Sequence, residues 1–180
     1  MASAVDSTLD VVFWFLDRAL DENEYLQPQK LQRLLYLSQS YYGALNRGAK
    51  LMPAVFVADE MGPVEPTIFR MLANGKPYNV ESRPVPEGVG HFLDSMWRKF
   101  GAHSTEHLSR LVGGHPPYVA ALKKGPRTEI GYATMIKFYG SREGTEKGAP
   151  APAEVLRPRV MRSQDGRPVS VTRWSIPTKK

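Results

Sequence analysis

The chain has 180 residues of which 42% are hydrophobic, enough for one domain with a single core and a short appendage. It contains no cysteine, which excludes disulfides, thiol catalysis and cysteine-ligated metal centres. Its formal charge of +6 is unevenly spread, because residues 1–140 carry 15 Lys and Arg against 14 Asp and Glu while residues 141–180 carry 9 against 4. The body is close to neutral, and any electrostatic attraction to nucleic acid belongs to the tail.

The longest strongly apolar run near the start, Val11 to Leu16, is too short to span a bilayer, and no basic residue precedes it as in a signal peptide. The expectation is a cytoplasmic protein without a membrane partner. Ser7-x-x-Asp10 predicts a helix start, with an acceptor at the cap and a carboxylate in the first turn. Leu9, Val12, Phe13, Leu16, Ala19 and Leu20 then form an apolar stripe, with Trp14 and Phe15 beside it.

Gln27-Pro28 opens a second, longer helix, since proline's fixed φ suits the first helical position. Its Leu31, Leu34, Leu35, Ser38, Tyr42 and Leu45 recur at the helical period and predict one buried face, and Gly48 ends it. Met52 to Ala58 reads as a short strand or an extended buried connection, and Gly62-Pro63 as a turn. Pro66 starts a helix that Asn74-Gly75 ends. Residues 76–90, rich in Pro and Gly, read as a loop.

Phe92, Leu93, Met96, Trp97 and Phe100 predict another amphipathic helix. Ser104 caps a shorter one carrying Leu108, Leu111 and Val112, closed by Gly113-Gly114. Pro116-Pro117 reorients the chain into Tyr118 to Leu122, and Gly125-Pro126 breaks it again. Thr128 reads as the cap of a last helix with Tyr132, Met135, Ile136 and Tyr139 on one face. The expected fold is mainly α, a compact bundle of about six or seven helices with a short extended segment.

Beyond Gly140 the composition shifts. Residues 141–154 read as a solvated linker between a helical domain, 1–140, and a basic tail, 155–180. Asp165-Gly166 between two alternating runs predicts a C-terminal β-hairpin that sets Val160 opposite Val171 and Arg157 opposite Trp174.

Two motifs stand out. Leu-Gln-Pro-Gln-Lys-Leu-Gln-Arg-Leu-Leu-Tyr, ending at Tyr36, is followed about twenty-five residues later by Gly62-Pro63-Val64-Glu65-Pro66 and Phe69. In that order and spacing, over Thr8 to Tyr139, the chain resembles the SocA-like antitoxin family, also called the Panacea domain. It departs from the family at Ala58-Asp59, where Ala-Trp is usual, and at Val112-Gly113 and Pro117-Tyr118, where Thr-His and Pro-Trp are usual. The resemblance implies an antitoxin that binds and neutralises a cognate protein toxin. In the branch that names the family, it also implies a proteolytic adaptor handing the toxin to the ClpXP protease. Such a bridge needs two surfaces and no active site.

No Walker loop, Gly-x-Ser-x-Gly elbow, His-Glu-x-x-His or dinucleotide fingerprint is present, so the enzyme classes readable from sequence lack their signatures. Cofactors and metals are expected to be absent. His103 and His107 are four apart but straddle the Ser104 cap and have no evident third ligand, so they read as ordinary cap or surface histidines. Asp59 and Glu60 read as a solvated loop, with a small hydrolase as the reading against it.

Tyr36 and Tyr41 fit either core packing or a rim beside Lys30 and Arg33, where aromatics and arginine make strong interface anchors. The expected partner-binding face joins Lys30, Arg33, Tyr36 and Tyr41 to Asp59, Gly62, Pro63, Pro66 and Phe69. In the tail, Arg157 and Trp174 could serve the protease or close over the toxin. The competing class is a nucleic-acid-binding regulator that uses the same tail, its arginines on phosphates and Trp174 stacked on a base.

Overall fold

The computed structural model describes residues 3–74, 83–156, 160–162 and 168–170. The first helix, α1 (Thr8–Asp21), begins on the expected capping box, Ser7 accepting from the Leu9 amide and Asp10 returning to the Ser7 amide at 3.2 Å. Its inward stripe is rotated from the expected one. Val11 and Phe15 are fully buried with Val12 and Ala19, whereas Leu20 is 72% exposed.

The helix α2 (Pro28–Leu45) has Pro28 in its first turn and Gln27 at its cap. The expected single buried face is corrected here, because every residue from Lys30 to Tyr41 is buried. The reason is position: α2 runs through the middle of the body. Its Gln32, Arg33 and Gln39 survive burial by pairing with backbone elsewhere in the chain. Gln39 is the clearest case, accepting from the amides of Leu51 and Met52 at 3.1 Å each and donating to the Met52 carbonyl at 3.0 Å. One amide side chain thus satisfies two amides and a carbonyl of a stretch that lies outside the named strands.

That stretch continues into strands β1 (Val57–Asp59) and β2 (Gly62–Val64), paired antiparallel with Asp59 opposite Gly62. Gly62 and Pro63 therefore lie in a strand, and the turn is Glu60-Met61, with Asp59 Oδ1 accepting from the Met61 amide at 3.2 Å. A third strand, β3 (Thr128–Glu129), completes the order β2-β1-β3. Thr128 is accordingly not a helix cap. The helix α3 (Pro66–Ala73) starts at Pro66, with the Glu65 carboxylate accepting from the Ile68 amide at 2.6 Å.

The helix α4 (Glu87–Met96) begins inside the segment read as a loop and runs on through a π-helical turn, Trp97–Gly101. Then come α5 (Thr105–Gly113), capped by Ser104 as expected, α6 (Pro116–Lys124) and α7 (Tyr132–Tyr139), whose cap is Gly131. Tyr132 and Ile136 of α7 press against α2 at Gly43, where any side chain would overlap both.

Residues 141–156 correct the linker reading. They form α8 (Arg142–Glu146), capped by Ser141, and α9 (Pro152–Val155), and they pack on the body. Ala149 and Val155 are buried at 2% and 1%, and the Tyr41 hydroxyl donates to the Pro150 carbonyl at 2.7 Å. A few small apolar residues at the right places are enough to join this stretch to the core. The tail hairpin pairs β4 (Val160–Arg162) with β5 (Pro168–Ser170), setting Val160 opposite Ser170. That register is one residue from the expected one, because five residues separate the paired ends where a two-residue turn needs an even count. Val171, Arg157 and Trp174 lie outside the described residues.

The protein is thus mainly α, with a small antiparallel sheet against one side of the central helix. Among the described residues no helix is long and apolar enough to cross a membrane.

Candidate functional site

The two sequence motifs meet in space. Arg33, one turn into α2, is 1% exposed and lies across the β1-β2 turn. Its guanidinium donates to the Pro63 carbonyl at 2.8 Å, to the Met61 carbonyl, and from Nε to Ser109 Oγ at 3.3 Å. Gly62 sits flat against that guanidinium with φ +120°, so a Cβ there would overlap the charged group. The neighbouring Gln32 completes the grip, its Oε1 accepting from the Glu65 amide at 2.8 Å. The Gln-Arg pair of the helix motif thus fastens the Gly-Pro-Val-Glu segment, which explains why the two belong together.

No carboxylate among the described residues comes within ion-pairing distance of Arg33. Burial draws its pKa below the ordinary value, with Tyr118 and Asp59 pulling the other way. Carbonyl dipoles hold the charge in place of a salt bridge.

Beside this clamp lies a groove of about 300 Å³, lined by the start of α2, the β1-β2 turn and α3. Pro28, Gln29 and Arg33 form one wall, with Val64, Phe69 and Leu72 opposite. Two large apolar side chains stand on it in the open, Met61 at 61% exposure and Phe69 at 58%. Asp59 is its one acidic group among the described residues, and the carbonyl of Asp59 takes a hydrogen bond from the Tyr118 hydroxyl at 2.7 Å.

The expected partner-binding residues divide here. Asp59, Arg33 and Phe69 line the groove, and Pro66 is half-buried at the start of α3. Gly62 and Pro63 are buried behind it as scaffold. Tyr36 and Tyr41 do not stand at a rim; both are fully buried. Tyr36 packs edge-on against Phe56 and Tyr139, and Tyr41 against Tyr139. Burial raises the pKa of both well above the usual phenol range. Lys30 is 6% exposed, paired with Glu24 and placed over the Trp97 ring, 5.8 Å from its centroid.

Sequence reasoning missed Met61, Val64 and Leu72 as groove residues. A signal existed: Met61 and Phe69 are large apolar residues that flank the Gly62–Pro66 motif on either side. Ring stacking accounts for His103 and His107, with centroids 4.3 Å apart. Among the described residues no group of three or more His, Asp or Glu could hold a metal ion. No family model, no curated protein and no solved structure matches the chain.

Proposed function

We propose that this chain is a non-catalytic binding protein, an antitoxin that neutralises a cognate protein toxin by seating a segment of it in the groove between α2, α3 and the β1-β2 turn. The observation that carries the reading is the pair Met61 and Phe69, each more than half exposed beside an apolar recess. Exposed apolar side chains grouped at a concave site are costly to leave in water and mark a surface that another chain covers. Methionine adapts to the shape of its partner, and a rigid aromatic carries a large share of binding energy. The contact set therefore shifts from the helix motif's own Lys30, Tyr36 and Tyr41 to Met61, Val64, Phe69, Leu72 and Gln29.

The motif resemblance supplies the kind of partner, a protein toxin, and the second step, delivery to the ClpXP protease. A bound toxin held near the protease is degraded because tethering raises its effective concentration there. The test is co-expression with the product of the neighbouring reading frame in a strain where that product alone is lethal. Met61→Asp and Phe69→Asp are expected to abolish protection while leaving the melting temperature unchanged, and Leu20→Asp, exposed elsewhere, is expected to protect fully. Protection intact in the double Met61/Phe69 variant overturns the groove. A toxin half-life indifferent to loss of ClpXP overturns the adaptor step alone.

A further inference from the structure

His115 is buried to 1% exposure where α6 begins. Its Nδ1 lies 2.9 Å from the Tyr139 hydroxyl on α7, but its Nε2 is buried and has no hydrogen-bond partner among the described residues. The Phe138 ring packs over it with centroids 5.0 Å apart. Such a site disfavours an imidazolium, because Tyr139 can serve the Nδ1 side alone and the cation's Nε2–H would stand unpaired in the core. The position adds to this, since the positive end of the α6 dipole opposes a cation at its start.

The titratable groups against the ring are tyrosines, Tyr139 on α7 and beyond it Tyr36 on α2. The charged and titratable groups on the elements packed around α6 are Glu106, His107 and Arg110 on α5, Tyr132 and Lys137 on α7, Asp59 on β1 and Glu129 on β3, with Tyr118, Lys123 and Lys124 on α6 itself. Burial is what holds the imidazole pKa down, at about 4. α6 in turn is tied to the groove, because Tyr118 donates to the Asp59 carbonyl at 2.7 Å.

We propose that His115 is an acid-sensitive latch: taking up a proton releases α6 from α7 and, through the Tyr118–Asp59 tie, loosens the β1 wall of the groove. The latch is a property of the isolated chain and holds whatever the groove takes. Its sign follows from linkage. A freed histidine binds a proton below about pH 6.5 and the latched one only below about pH 4, so latching weakens as pH falls through that window and is undiminished above it. The opened fraction is expected to rise on the order of thirtyfold from pH 7.5 to pH 5.

The test is amide hydrogen exchange on the full chain at the two pH values, with protection factors corrected for intrinsic rates. In the wild type the Val119 amide, bonded to the His115 carbonyl at 3.1 Å, is expected to lose protection by that factor while amides at the centre of α2 do not. In His115→Gln the pH-dependent loss is expected to vanish. An equal loss in α2, or an unchanged loss in the variant, overturns the latch. Should His115→Gln fail to fold, an NMR titration of the wild-type imidazole decides: a ring still neutral at pH 5 supports the proposal, and a midpoint near 6.5 in the folded chain ends it.

Discussion

Arg33 and Gly62 act as a lock and its seat. The guanidinium reaches two carbonyls only because residue 62 has no side chain, and the backbone turns there with a φ of +120° that other residues rarely adopt. Gly62→Ala is therefore expected to cost about 1–3 kcal/mol, from backbone strain and from displacing a buried cation, read as a lower urea midpoint with an unchanged slope. The glycine and the arginine are both visible in the sequence, and their co-occurrence hints at contact. Their roles are not visible, because periodicity reports which face of a helix is apolar and says nothing of polar side chains that reach across to irregular backbone. Gln39 shows the same gap: the reading assigned it no role, yet it is fully buried because Leu51 and Met52 need its amide.

Among the elements, helix starts were the most legible. Ser7, Pro28, Pro66 and Ser104 each stand where a helix begins, since caps and first-turn prolines act locally. Thr128 has the same look and belongs to a strand, because β1 recruits it: the Arg127 amide donates to the Ala58 carbonyl and the Ile130 amide to the Phe56 carbonyl, each at 2.8 Å. Long-range pairing of that kind leaves no mark on a local window.

The helices α8 and α9 were hidden for a related reason, their composition being that of a linker while Ala149 and Val155 fill the core. Truncation after residue 156 is expected to preserve the melting temperature, whereas truncation after residue 140 lowers it by uncovering the Tyr41 side of α2. Val155→Ala alone is expected to cost about 2 kcal/mol. Differential scanning calorimetry of the three variants checks both. Any trial of the tail's role in binding therefore belongs at residue 156, where loss of the appendage is separate from loss of the core.

For the molecule as a whole, the charge distribution and the groove point to different partners. The near-neutral body carries the groove, and the basic residues crowd beyond Val155. If the tail engages nucleic acid, binding is expected to weaken steeply with salt and to disappear on truncation after residue 156, without change in toxin protection. Fluorescence anisotropy with a labelled duplex at 50 and 200 mM salt, values chosen to span a strong counterion effect, separates the two surfaces.

The Arg33 clamp has one more consequence, for how other chains can approach. Ala58 turns its carbonyl toward β3, so its opposite number Pro63 turns its own carbonyl away from β1, along the open border of the sheet. Arg33 already occupies that carbonyl and the one at Met61, and proline has no amide to offer. The border is sealed against ladder growth, so neither a foreign strand nor a second copy can zip onto β2. Whatever docks on this face must be recognised by the shape of its side chains.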